Sequence, residues 1–168
     1  GQGFFKKEGK AILELNLSTF EYEPVKKLAV PSLEMAKQAR GPGGKLKTLI
    51  YAKDRVGELL WNSFAPTLLY SAQLTGEIAD DILAIDNAMK WGFGWAQGPF
   101  EMWDAIGVEK SVAKMKEEGR EIPTFVSAFL DTGLTTFYSE IDGDLAYYNG
   151  TAHVTVPLTE KATDLKRY

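Results

Sequence analysis

Apolar positions along this chain follow two different rhythms. Between Arg55 and Leu74, the residues Leu59, Leu60, Trp61, Phe64, Leu68 and Leu69 recur at helical spacing. Ile78, Ile82, Ile85 and Met89 do the same further on, as do Val108, Val112 and Met115. Steps of three and four residues place these side chains on one face of a helix. Near both ends the rhythm becomes that of a hairpin. Phe4-Phe5-Lys6-Lys7-Glu8-Gly9-Lys10-Ala11-Ile12-Leu13 reads as an aromatic strand, a glycine turn and an apolar strand. Phe137 to Tyr148 repeats the plan around Asp142-Gly143, with a slightly longer turn expected. The predicted fold is mainly α with small β-hairpins near both ends. The echo points to a duplicated unit, with two unrelated hairpins as the alternative.

Breakers divide what lies between. Pro24 and Pro31 make 19–31 extended or irregular, and Ser32 to Ala39 reads as a short helix. Gly41-Pro42-Gly43-Gly44 ends it and is expected to be a flexible linker before a further short helix from Lys45 to Ala52. Pro66 is predicted to kink or split the long helix, because it removes a ladder hydrogen bond. Val108 to Glu118 and Ile122 to Leu130 complete the helices, the last stopping before Gly133. From Asn149 the chain reads as a linker, with Leu158 to Tyr168 a polar, helical exit. The expected division is a hairpin at 1–17 that ends a preceding repeat, an inter-repeat linker at 18–54, a helical domain at 55–148 and a linker at 149–168.

The most informative stretch is Trp91 to Trp103. It holds five of the twenty aromatic residues, three glycines and a proline. Glycine and proline interrupt regular structure, so two helices meeting at a tight corner are predicted, with all five rings packed inward. Glu77, Asp80 and Asp81 crowd the first turn of the helix before it, where carboxylates suit the positive helix end. Gly92 is expected to stop that helix in the left-handed conformation. Gly98 and Pro99 suit the cap and first turn of the next, with Glu101 three residues past the cap to satisfy a free amide.

Composition narrows the chemistry. A net charge of −4, with no basic run interleaved with aromatics, argues against nucleic acid. No apolar run is long enough to span a bilayer, and zero cysteines fit a reducing, cytoplasmic setting. His153 is the lone histidine, so no metal set exists, and a strand or solvent-facing histidine is the simpler reading than a triad member. Gly41-Pro42-Gly43-Gly44-Lys45 lacks the spacing, hydroxyl and strand of a phosphate loop, and Gly92 to Gly98 lacks the strand of a dinucleotide fingerprint. Asp80, Asp81 and Asp86 read as a solvated helix-start cluster rather than an acid–base set. Lys45 and Lys90 could reach a phosphate, with solvated lysines as the default.

At this point a resemblance enters. Glu77 to Ile82, Ile85 to Lys90, then Trp91, Gly92, Phe93 and Gly94, followed by Gly98, Pro99, Phe100 and Glu101 and by Trp103, Asp104, Ala105, Ile106 and Gly107, resemble the C-terminal helical domain of 3-hydroxyacyl-CoA dehydrogenases. Gly3-Phe4-Phe5 and Phe137-Tyr138 are similar to the aromatic hairpin closing that domain, and Thr19 to Pro24 to the link between two such units in long members fused to an enoyl-CoA hydratase. The resemblance implies a helical domain like the C-terminal domain of 6-phosphogluconate dehydrogenase. Such enzymes oxidise an L-3-hydroxyacyl-CoA with NAD in fatty-acid β-oxidation. NAD and the catalytic histidine and glutamate belong to a Rossmann domain absent here, so neither cofactor nor catalytic residue is expected in this segment. Trp61 stands where the family's first unit carries an active-site asparagine, which implies a second, degenerate copy.

The implied role is to pack against the Rossmann and first helical units of a parent chain and to help wall an acyl-CoA cleft. Self-association is expected if the helix from Arg55 to Leu74 exposes apolar surface. A free-standing interaction module and a hydrolase using His153 with Ser139 are the competing readings.

Overall fold

A computed structural model describes residues 3–26 and 29–157, and the chain divides into two compact units, 1–30 and 31–168. The exit expected at Leu158 to Tyr168 lies outside the described residues.

The first unit holds a three-stranded antiparallel sheet of β1 (Phe5–Glu8), β2 (Ala11–Leu15) and β3 (Tyr22–Pro24), in that order. Phe5 pairs with Glu14 and Glu8 with Ala11 across a two-residue turn, and Leu15 pairs with Tyr22. The third strand falls in the stretch read as extended or irregular, of which Tyr22–Pro24 is extended. Asn16 makes it possible: its Oδ1 accepts from the N–H of Ser18 and Thr19 and tightens the return.

The second unit is mainly helical. It comprises α1 (Pro31–Gln38), α2 (Gly41–Ile50), α3 (Arg55–Leu74), α4 (Ile82–Phe93), α5 (Pro99–Ile106), α6 (Val108–Glu117) and α7 (Thr124–Asp131), then β4 (Tyr138–Ile141), β5 (Asp144–Tyr148) and β6 (His153–Thr155). These last strands form an antiparallel sheet in chain order, and Tyr148 pairs with His153. Residues 153–155 are therefore strand, not linker.

The two sheets share one register. Tyr138 pairs with Tyr147 and Ile141 with Asp144, again across two residues, so the second turn is no longer than the first. The N–H of Leu15 donates to the Phe4 carbonyl at 2.8 Å, and that of Tyr148 to the Phe137 carbonyl at 2.8 Å. Asn149 Oδ1 accepts from Thr151 and Ala152 as Asn16 does in its own sheet. Phe4 and Phe137 are thus equivalent, yet Phe4 is 70% exposed and Phe137 is fully buried.

Three local expectations change. Gly41 to Gly44 open α2 instead of linking, with Pro42 in the first turn, where its missing N–H is harmless. A Cβ on Gly43 would collide with Ala105, so glycine lets α2 approach α5 closely. Helix α3 runs unbroken through Pro66, with Trp61, Ala65 and Leu68 buried around the missing bond. Packing there outweighs one lost ladder bond. Helix α4 continues past Gly92 and stops at Gly94, whose φ of 68° is the left-handed turn.

Trp61, Leu68, Ile82, Phe100, Trp103, Val112, Met115, Phe129 and Phe137 anchor the buried core. Phe137 stacks on Phe129 at 4.2 Å and meets Phe100 edge-on at 5.0 Å. The final hairpin is thereby sealed onto α5 and α7.

Candidate functional site

The corner between α4 and α5 is built on carboxylates as much as on rings. Of the five aromatics, Phe100 and Trp103 are fully buried and Trp95 is partly buried. Trp91 and Phe93 are 79% and 74% exposed, which corrects the expectation that all five turn inward. The physical reason is that the end of α4, from Trp91 to Phe93, is exposed all round, so both rings project into water.

Asp86 occupies the centre. It is fully buried, not part of a solvated cluster, and its Oδ1 accepts from the Phe100 N–H at 2.9 Å while Oδ2 accepts from the Glu101 N–H at 3.0 Å. These are free amides of the first turn of α5, which a cap must satisfy. Gly98 at the cap position has no side chain to do so. A Cβ there would also overlap Asp86, so glycine at 98 and aspartate at 86 require each other. Asp80 is exposed, and Asp81 caps α4 by accepting from the Ala84 N–H at 2.7 Å.

Glu101 behaves as its spacing predicted: Oε2 accepts from the Gly98 N–H at 2.9 Å. Its other oxygen accepts from Lys90 at 2.5 Å, which takes Lys90 out of contention as a phosphate contact. Asp104 accepts from the N–H of Phe137 at 2.7 Å and of Tyr138 at 2.9 Å, fixing the start of β4 to α5. Burial pushes the Asp86 carboxyl up to about 6 and that of Asp104 up to about 7, against the lowering effect of their amide donors. Burial, followed by the charge of Asp86, raises the Tyr138 phenol well above its usual value. A phenol so held donates its proton and keeps it. The arrangement locks three elements together.

Trp103 Nε1 donates to Ser111 Oγ at 2.7 Å, and Ser111 to the Val108 carbonyl at 2.8 Å. Trp61, also buried, donates Nε1–H to both oxygens of Glu118, at 2.6 and 2.8 Å. His153 Nε2–H donates to the Thr136 carbonyl at 2.9 Å, and the Ser139 hydroxyl is buried without a partner, so no hydrogen bond joins the two. Among the described residues, no group of histidine, cysteine or carboxylate side chains could hold a metal, and no helix is long and apolar enough to cross a membrane.

A helical body with a carboxylate-capped corner and a closing aromatic hairpin is what the geometry defines. Comparison with known proteins shows what that body is similar to. The chain is 52% identical over 166 residues, or 99% of its length, to a "Probable 3-hydroxyacyl-CoA dehydrogenase" of Bacillus subtilis. It is 28% and 27% identical over 104 residues to proteins of Rickettsia felis and Rickettsia prowazekii named as fatty acid oxidation complex trifunctional enzymes. Each of those matches covers 60% of this chain and 13% of the relative. No family model matches, and no solved structure does. Over almost its whole length the chain is similar to a segment of a 3-hydroxyacyl-CoA dehydrogenase, and it spans 21% of the length of that Bacillus relative.

Proposed function

We propose that this chain serves as a non-catalytic helical domain of an NAD-dependent L-3-hydroxyacyl-CoA dehydrogenase acting in fatty-acid β-oxidation. The match over almost the whole chain carries the reading. NAD belongs to a Rossmann domain elsewhere in such an enzyme, in the cytoplasm, and this domain packs beside it and shapes the acyl-CoA cleft. The site residues support a structural duty: Asp86, Glu101 and Asp104 are each engaged by backbone amides of the fold itself.

The repeated sheet supports the same reading. In the second unit the hairpin's first aromatic, Phe137, is covered by Phe100, Trp103, Phe125 and Phe129. Phe4, Phe5, Ile12, Leu17 and Phe20 of the first unit lie exposed. They offer apolar area on both faces of that sheet for a preceding helical unit of the parent, and such exposed area favours association.

The decisive experiment uses the Bacillus relative and the isolated chain in parallel. The full enzyme should reduce NAD with a 3-hydroxyacyl-CoA, while this chain alone should turn nothing over. Replacing the matched segment of the relative with this chain should retain activity. Turnover by the isolated chain, or full activity of the relative with that segment deleted, would defeat the proposal.

A further inference from the structure

A second feature of the molecule has no part in the corner. Residues 51–55, the start of α3 and one face of α6 enclose an open pocket of about 820 Å³, a size that accommodates small-molecule ligands. We infer that this pocket binds a phosphate-bearing anion, held by Lys53, Arg55 and Lys110.

Three carboxylates line the pocket. Asp54 caps α3, accepting from the N–H of Val56 and Gly57 at 3.1 Å each. Glu118 accepts from Trp61, pairs with Arg120 at 2.8 Å and lies 3.9 Å from Lys114. Glu58 alone has no such partner among the described residues. On the cationic side, Lys53, Arg55 and Lys110 have no carboxylate within 4.0 Å among the described residues. Three cations without a carboxylate partner thus face two carboxylates, Asp54 and Glu58, without a cationic one, in a protein whose net charge is −4. Local excess of that sign in a concave site concentrates anions.

The cations are also placed. Lys110 Nζ sits 3.8 Å from the centre of the Tyr51 ring, and Lys114 Nζ 3.9 Å from that of Trp61, one helical turn apart on α6. Each ring holds its ammonium at the pocket wall. The opposite wall is rigid, because a Cβ on Gly57 would overlap the backbone of Ala52, so the loop carrying Lys53 lies directly on α3. Asp54 already takes the free amides of α3, which leaves side-chain cations as the source of attraction. Multiple phosphate oxygens suit three separated cations better than one carboxylate does.

The chemistry is shared by inorganic phosphates, free nucleotides and the phosphorylated end of a coenzyme A. Calorimetric titration of the full chain with pyrophosphate, ADP and coenzyme A separates these sources. At least one should bind, and its affinity should fall as salt rises. The double variant K53E/K110E should weaken binding by at least about tenfold, through two reversed charges. K45E, which alters a lysine outside the pocket, should leave it unchanged. Thermal melts establish that the variants fold, and K110A, which adds no negative charge, should show a smaller loss. No heat from any of the three at millimolar concentration would overturn the inference. So would binding that K53E/K110E leaves intact.

Discussion

The hydroxyl of Tyr138 donates to the carboxylate of Asp86 across 3.0 Å, although the two residues lie 52 positions apart. With the Phe100 and Glu101 amides on the same carboxylate, this bond ties α4, α5 and β4 at one buried point. Replacing Asp86 by asparagine removes one acceptor oxygen and leaves a buried donor unpaired, which costs about 1–3 kcal/mol. Urea unfolding should report a loss of that size for D86N, and a smaller one for Y138F. A double-mutant cycle should give a coupling above about 0.5 kcal/mol, and simple additivity would show that the bond contributes nothing of its own.

The raised carboxyls make a pH prediction with a definite sign. Asp86 and Asp104 titrate near 6 and 7 when folded, above the ordinary carboxylate range, because burial favours their neutral forms. The folded chain therefore holds more protons than the unfolded one between about pH 4 and 7. Their contribution is fully present below about pH 4 and is lost as pH rises through 6 and 7. The wild type should lose more stability between pH 5 and pH 8 than D104N does. Parallel slopes for the two would contradict the assignment.

Two glycines of the corner should respond in opposite directions. Gly98→Ala drives a methyl into Asp86 and should destabilise by more than about 2 kcal/mol, the range of forced overpacking. Gly92→Ala meets open space inside α4 and should stabilise by about 0.5–1 kcal/mol, the difference in helix propensity. Thermal melts of both variants test this. Equal losses would return Gly92 to the role of helix stop.

Exposed Trp91 and Phe93 give the last test. Changing both to serine should move stability by no more than about 0.5 kcal/mol, since little apolar surface leaves water there. Trp103→Phe empties part of a buried indole site and removes the hydrogen bond donated to Ser111, so it should cost more. Chemical denaturation of the two variants decides between surface and core.

Much of the architecture was legible along the chain. Helical spacing located the cores of α3, α4 and α6, and the Glu101 contact to Gly98 followed from capping distance alone. The hairpins were legible from aromatic runs around glycine. What misled was local chemistry overridden by packing. Gly41 to Gly44 looked like a linker because glycine propensity is poor in helices, but close approach to Ala105 favours it there. Pro66 read as a kink or a split, and the buried neighbours on either side keep α3 one helix. Asp86 looked solvated because nothing near it in sequence reveals that α5 and Tyr138 cover it.

The amino-acid order by itself determined the helical body and its two closing hairpins, since periodicity, caps and turns act within a few residues. Only the tertiary structure decided which carboxylates are buried, which corner rings meet water, and that the two small sheets share one register while only the second has its aromatic covered. Those outcomes depend on contacts between segments tens of residues apart, and burial, not residue type, sets the charge state and exposure of each side chain.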